Sequence, residues 1–152
     1  MVWKPHVTVA AVIEKNCKFL LVEEQTCNGI AFNQPAGHLE NGESIITAVK
    51  REVNEETAWK FEPEHIIAIQ LWRKNHESPS FLRVCFAGKV HAHDSDQVLD
   101  DGIIATHWLT RRQIAEKGTQ LRSPLVLNTV DAFLRGESYP LSLLKTYLDL
   151  GH

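Results

Sequence analysis

Three glutamates, Glu52, Glu55 and Glu56, lie close together in the stretch GHLENGESIITAVKREVNEETAW, residues 37–59. At about 100° per residue, the apolar side chains of this stretch share one stripe of a helix, and Glu52 and Glu56 fall on that stripe. Glu55 falls at its edge. A solvated acidic helix would carry its carboxylates on the polar side instead. The pattern predicts a helix over 44–58 with at least two carboxylates directed towards the core.

Buried carboxylates need a compensating charge, because an unpaired buried ion costs several kcal/mol. Arg51 can neutralise one of them. A hard divalent cation such as Mg²⁺ or Mn²⁺ takes several oxygen ligands at once and is typically shared with substrate phosphates. A solvated acidic helix end is the more common meaning of a glutamate run, but the facing of Glu52 and Glu56 favours the metal site.

A phosphate-binding loop is the rival interpretation of the same stretch. The spacing from Gly37 through Gly42 to Ser44 matches the glycine pattern of a P-loop. That loop requires a lysine before its Ser or Thr to contact the phosphates. Glu43 stands there with the opposite charge, which excludes a P-loop.

Composition bounds the class of protein. The chain has 152 residues, 43% hydrophobic and 23% charged, with a formal net charge of −3. We therefore expect one domain over residues 1–152 and no nucleic-acid polymer as partner. No apolar run approaches the ~20 residues of a membrane span. The three cysteines are odd in number and widely spaced, so we expect neither disulfides nor a zinc site, and a cytoplasmic location.

The remaining elements follow from periodicity and turn signals. We predict strands over 6–13, 18–23, 65–73, 81–90 and 103–109, polar loops over 24–31 and 91–102, and a break at Pro63. We predict helices over 111–116 with Thr110 as cap, over 124–135 after Ser123, and over 141–149 after Pro140. Periodicity alone supports an α/β or α+β protein.

The spacing of the acidic stretch resembles the signature of the Nudix hydrolases: Gly37, five residues, Glu43, seven residues, then Arg51-Glu52-Val53-Asn54-Glu55-Glu56. Ala58 departs from it, because the family has glycine there. The resemblance implies the Nudix fold, an α/β/α sandwich with a mixed central sheet, and an enzyme that uses Mg²⁺ or Mn²⁺. It also implies that Glu52, Glu55, Glu56 and the Gly37 carbonyl hold the metal, and that Glu43 and Arg51 form an ion pair between loop and helix.

Two further site residues are expected outside the signature, in the loop 91–102 and on a strand. By position in the family, Asp101 is the first choice for a further metal ligand or general base, and Asp100 is the second; a solvated loop is the alternative. Either Glu55 or Asp101 would accept the proton of the attacking water. Arg83 lies on a predicted strand, where an inward arginine can hold a substrate phosphate and an outward one is simply exposed.

Segments along most of the chain resemble the bacterial NudJ-type phosphatases of the same family. These segments are 4–10, 33–40, 93–96, 121–126 and 139–141. The resemblance implies release of orthophosphate from nucleoside tri- and diphosphates or from hydroxymethylpyrimidine pyrophosphate, a thiamin precursor. Arg122, just before a helix, is a candidate substrate contact or merely a surface arginine beside a helix cap.

Several functions stay open at the level of sequence. An ADP-ribose or dinucleoside polyphosphate pyrophosphatase is one alternative, and a non-catalytic nucleotide-binding module is another. The complete set of signature carboxylates favours an enzyme over a binding module. In each case the partner is a small phosphoanhydride, with no membrane partner, and the protein is a monomer or homodimer.

Overall fold

A mixed seven-stranded sheet forms the centre of the computed structural model, which describes residues 1–148. The strands are β1 (His6–Lys15), β2 (Lys18–Thr26), β3 (Gly29–Asn33), β4 (Ala36–His38), β5 (Lys60–Trp72), β6 (Phe81–His91) and β7 (Ile103–Leu109). Their order is β3-β2-β1-β6-β5, with β4 beside β1 and β7 beside β2. The β1–β6 pair is parallel and the other pairs are antiparallel.

Helices cover both faces of this sheet: α1 (Ile45–Thr57), α2 (Arg111–Glu116) and α3 (Leu125–Leu134). Side chains alternate along β1, as the strand period of two requires. Ala10 and Val12 join the core beneath α2 and α3, whereas Val9, Ala11 and Ile13 join the core beneath α1. The predicted α/β/α sandwich with a mixed sheet is confirmed.

The sheet divides where β1 and β2 separate. These two strands pair only at their turn, through Glu14–Phe19 and Lys15–Lys18. Further along, β4 pairs with β1 at residues 8–10, while β7 and β3 pair with β2. The short strand β4 and the loop that leads into α1 therefore lie at the division between the two parts of the sheet.

Two expectations about strands are corrected. The predicted loop 24–31 is mostly strand, because β2 continues to Thr26 and a tight turn before Gly29, at φ +100°, starts β3. The predicted break at Pro63 is wrong, since β5 passes through it. Proline is tolerated because β5 is an edge strand with a register shift between Pro63 and His65.

Helix α1 ends as the family's glycine would end it, whereas the predicted C-terminal helix does not form in the described residues. Ala58 itself adopts the left-handed conformation, at φ 61°, and donates its N–H to Asn54 O, so α1 ends as a glycine would end it. The predicted helices at 111–116 and 124–135 are confirmed. The predicted helix 141–149 is wrong over the described part: Leu141–Leu143 form one 3-10 turn, residues 144–148 have no regular structure, and residue 149 lies outside the described residues. No helix within residues 1–148 is long and apolar enough to cross a membrane.

Candidate active site

Helix α1 turns two glutamates away from solvent. Ser44 starts the helix by accepting the Thr47 N–H at 3.1 Å, and the apolar side of the helix packs on the sheet. Glu52 and Glu56 are only 8% and 7% exposed. The side chain of Glu55 is 39% exposed. The facing predicted from helical periodicity is confirmed.

Arg51 joins the loop before α1 to the helix itself. Its Nε donates to Glu43 Oε2 at 3.0 Å and its Nη2 donates to Glu43 Oε1 at 2.7 Å. Nη2 also donates to the backbone carbonyl of His38 at 3.0 Å. This two-point bond lowers the pKa of Glu43 and raises that of Arg51. The structure thus brings together the ion pair that the signature implies.

The same guanidinium also contacts two of the candidate metal ligands. Arg51 Nη1 donates to Glu52 Oε1 at 2.8 Å and to Glu55 Oε2 at 3.1 Å. A positive group therefore already lies against these carboxylates, as their mutual repulsion requires. One arginine cannot balance the whole cluster described next.

A third acid comes from the loop before β7. Carboxylate oxygens of Glu52, Glu55 and Asp100 all lie within 4.8 Å of one another. The backbone N–H of Asp100 donates to Glu55 O at 2.9 Å, which fixes this loop against the end of α1. The exposed Asp101 is not in the group. The geometry therefore favours Asp100, the second choice from sequence, over Asp101.

Glu56 lies deeper than the other acids. Its Oε1 accepts the backbone N–H of Ala36 at 2.8 Å. Burial raises the pKa of Glu56 to about 9, and the nearby carboxylates of Glu24, Glu52 and Asp100 add to the rise. Burial likewise raises the pKa of Glu52. In the absence of a further cation, this site favours a proton on Glu56 at neutral pH.

Gly37 leaves room for Glu52. A Cβ built on Gly37 would overlap the Glu52 carboxylate, so any larger residue here would require that carboxylate or β4 to move. Carboxylates are oxygen donors of the kind that Mg²⁺ and Mn²⁺ prefer. The oxygens of Glu52, Glu55 and Asp100 fit a divalent cation, whereas Glu56 is not in this group and its Oε1 accepts the Ala36 N–H. Nothing in the geometry assigns the Gly37 carbonyl itself.

Glu24 is a site residue that was not predicted from the sequence, where it falls within the predicted loop over 24–31. Glu24 lies on β2, with its side chain 18% exposed, and it contributes to the raised pKa of Glu56. Arg122, a predicted substrate contact, donates to Glu24 Oε1 at 3.0 Å. Strand alternation extended past residue 23 would have been the signal. Arg122 thus lies beside the acidic cluster, held by an acid of β2.

Arg83, the other predicted substrate contact, points inward from β6. It is 6% exposed and lies on the face of the sheet that α3 covers. Gln34, on the chain between β3 and β4, accepts from Arg83 Nη2 at 2.8 Å. The structure does not bring Arg83 into the carboxylate cluster, but it joins Arg83 to the segment that carries Ala36 and Gly37.

Comparisons with known proteins agree with this geometry. The NUDIX domain family model matches residues 4–128. The chain is 41% identical to phosphatase NudJ of Escherichia coli K12 over 143 residues, covering 93% of this chain and 92% of that protein. A NUDIX hydrolase structure from Nitrosomonas europaea is 46% identical, with a TM-score of 0.92, over 95% of this chain and 98% of that one.

A more distant structure shares the fold alone. A MutT protein from Methanosarcina mazei Go1 is 24% identical, with a TM-score of 0.71, over 90% of this chain and 98% of that one. The matched signature, the full-length relatives and the sheet topology all point the same way. The chain belongs to the Nudix hydrolase family and is an enzyme of that family.

Proposed function

We propose that this enzyme hydrolyses small phosphoanhydrides with the help of Mg²⁺ or Mn²⁺. Its substrates would be nucleoside tri- and diphosphates or hydroxymethylpyrimidine pyrophosphate, and its product orthophosphate. The observation that carries the metal dependence is the convergence of Glu52, Glu55 and Asp100 oxygens within 4.8 Å. The substrate class is supported by the likeness to phosphatase NudJ over nearly the whole chain.

The chemistry is attack of water on phosphorus. A new P–O bond forms, the anhydride P–O bond breaks, and the proton of the water passes to a carboxylate. A bound divalent cation would neutralise charge on the phosphate oxygens and make the water more acidic. We assign proton acceptance to Glu55 or Asp100, because each has a more open carboxylate than Glu52. Glu43 acts indirectly, by holding Arg51 and thus the loop and helix in register.

The two arginines outside the signature would bind substrate rather than react. Arg122 carries a half-exposed guanidinium bonded to Glu24 beside the cluster, so it can reach an anionic phosphate. Arg83 is buried, and its hydrogen bond to Gln34 connects it with the segment that carries Ala36 and Gly37. We also propose that residues 1–152 form one domain, acting on a small molecule as a monomer or homodimer.

Product analysis tests the proposal. Nucleoside di- and triphosphates, ADP-ribose, a dinucleoside polyphosphate and the pyrimidine pyrophosphate are incubated with Mg²⁺ or with EDTA. We expect metal-dependent orthophosphate from the di- and triphosphates. Nucleoside monophosphate from ADP-ribose or the dinucleotide would instead make it a pyrophosphatase. Binding with no product in any reaction would contradict hydrolysis altogether.

Glu56→Gln tests the metal site, with Glu64→Gln as its matched control. It keeps the size of a buried side chain and removes its charge, so we expect turnover to fall by roughly 100-fold or more with the fold intact. Glu64→Gln, at an exposed position on β5, should leave turnover unchanged. Full activity of the Glu56→Gln enzyme would contradict the metal assignment.

A further inference from the structure

Arg83 carries a buried positive charge with no opposite charge beside it. Among residues 1–148, the buried charged side chains are Glu52, Glu56 and Arg83. The first two belong to the acidic cluster. No carboxylate of the described residues lies within ion-pair distance of Arg83, whereas Arg51, Arg111 and Arg122 each have at least one. A buried ion without a counter-charge is costly, so its retention requires an explanation.

Neutral groups surround this guanidinium. Nη1 lies 3.2 Å from Gln70 Oε1 and 3.1 Å from both Thr129 Oγ1 and Cys85 Sγ, and Nη2 lies 2.8 Å from Gln34 Oε1 and 3.4 Å from Asn33 Oδ1. Burial raises the pKa of the Cys85 thiol, so this sulfur is not a thiolate counter-ion. These dipoles orient the guanidinium but leave its charge available to an anion or carbonyl oxygen.

One N–H of Arg83 remains free. Its Nε has no hydrogen-bond partner among the described residues. Every completely buried side-chain nitrogen of those residues does have a partner. The Nε atom is therefore not completely buried, although Arg83 as a whole is only 6% exposed. An acceptor oxygen that enters from outside can bond to it.

A row of rings continues from Arg83 on the same sheet face. The register places Thr8, Arg83 and Gln70 side by side across β1, β6 and β5. The next row on the same face consists of His6, Phe81 and Trp72. The His6 and Phe81 rings stack at 5.3 Å, and the Trp72 and Phe81 rings lie 6.4 Å apart. Side chains two apart on a strand share a face, so flat surfaces adjoin the arginine.

The backbone between β3 and α1 connects this place with the acidic cluster. Gln34 bonds to Arg83, and two residues later Ala36 bonds to Glu56. Two residues span at most about 7 Å. The His38 ring lies 5.3 Å from His6, while its carbonyl accepts from Arg51. A phosphate at the carboxylates and a ring at Arg83 can thus belong to one small molecule.

We propose that Arg83 and the rings of His6, Phe81 and Trp72 form the subsite for the non-reacting, ring-bearing end of the substrate. The ligand class is a flat heterocycle with a carbonyl oxygen, such as a pyrimidine base, whose oxygen accepts from Arg83 while its ring packs along Phe81. This inference rests on the proposed function, since it concerns the other end of the same substrate.

The direct test follows the Arg83 Nε–H in ¹H–¹⁵N NMR spectra of the wild-type enzyme in EDTA. Arg83→Lys assigns the resonance. Cytidine or uridine monophosphate should shift it at saturation, whereas ribose 5-phosphate and orthophosphate should not. An equal shift with ribose 5-phosphate would assign Arg83 to phosphate and overturn the ring subsite. No shift with any ligand would make Arg83 purely structural. No metal or hydrolysis is involved, so these outcomes stand even if the proposed reaction fails.

A kinetic test uses Phe81→Leu, which removes the ring, keeps an apolar side chain and changes no hydrogen-bond partner of Arg83. We expect KM for a nucleoside diphosphate to rise about 10-fold with little change in kcat, since stacking holds the ring and not the phosphate. Arg83→Met should lower kcat/KM by about 10- to 100-fold, mostly through KM. Arg112→Met, at an exposed arginine on α2, is the matched control. A fall confined to kcat would contradict the subsite.

Discussion

Asp100 and Asp101 are adjacent acids with different surroundings. Asp100 is held by its own N–H on Glu55 O, and its carboxylate joins those of Glu52 and Glu55. Both residues are exposed, but Asp101 lies outside this group. A carboxylate contributes to metal affinity only where its oxygen reaches the ion, so the two positions should behave differently.

Metal affinity should therefore depend on Asp100 and not on Asp101. We expect Asp100→Asn to weaken Mn²⁺ binding by about 10-fold or more. We expect Asp101→Asn to change it by less than about 2-fold, since its carboxylate lies outside the group of ligand oxygens and an exposed charge is screened. Titration of free Mn²⁺ by electron paramagnetic resonance measures both without substrate. A larger loss from Asp101→Asn would reverse the assignment.

Some features of single residues in the site could be predicted from the sequence, and others could not. Helical periodicity was sufficient to direct Glu52 and Glu56 inward, because a helix repeats every 3.6 residues whatever surrounds it. It could not choose between Asp100 and Asp101, since their loop has no period and a backbone bond to α1 orients it. The missing counter-charge of Arg83 is equally invisible in sequence, because it depends on side chains up to 50 residues away.

At the level of elements, the approach of β4 to α1 defines the site. Three contacts hold it: Ala36 N–H to Glu56, the Gly37 backbone against Glu52, and Arg51 to His38 O. A side chain at position 37 would therefore push the strand or the carboxylate away. Gly37 has no positive φ, so alanine there would meet only this overlap and no backbone strain.

A double-mutant cycle isolates this contact. We expect Gly37→Ala to destabilise the wild-type fold by about 1–3 kcal/mol, because it overpacks Glu52. In a Glu52→Ala background the overlap is gone, so the same change should be neutral or stabilise by up to about 1 kcal/mol. Urea unfolding of the four proteins in EDTA gives the coupling energy. Equal losses in both backgrounds would mean that Gly37 has another role.

The elements that sequence analysis misjudged share a cause. The second half of β2 is polar and β3 has only five residues, and the two become strands by pairing with each other. Pro63 is accommodated because β5 lies at an edge. Leu141–Leu143 begin with a proline signal, yet Tyr139 pairs with Ile66 and draws the chain along β5 instead of into a helix. In each case a tertiary neighbour outweighs the local preference.

For the whole molecule, the acidic site is a source of instability that a bound cation would offset. Carboxylates from β2, α1 and the loop before β7 converge on it, so folding itself assembles their repulsion. Any ligand that binds only the folded state stabilises it by mass action. Stability should therefore respond to metal and to pH together, with Glu56 as the main titrating group.

The direction in which stability changes with pH follows from the raised pKa of Glu56. Its ordinary value is 4.5 and its folded value is about 9, so the folded state keeps a proton that the unfolded chain releases. This contribution is fully present below pH 4.5 and is lost as pH rises to about 9, with a slope of up to about 1.4 kcal/mol per pH unit. In EDTA, unfolding free energy should fall over this range.

Glu56→Gln should remove most of the pH dependence of the unfolding free energy, because glutamine does not titrate. The Tm of the variant should therefore exceed that of the wild type at pH 8.5, and by a smaller margin at pH 5.5. Mg²⁺ should raise the wild-type Tm more at pH 8.5 than at pH 5.5, since the cation competes with the proton for the same carboxylate. It should raise the Tm of Glu56→Gln less than that of the wild type. Thermal unfolding followed by circular dichroism measures both effects, with Glu64→Gln as control. Parallel curves for wild type and Glu56→Gln in EDTA would mean that Glu56 does not hold the proton, and that the charge of the cluster is balanced elsewhere.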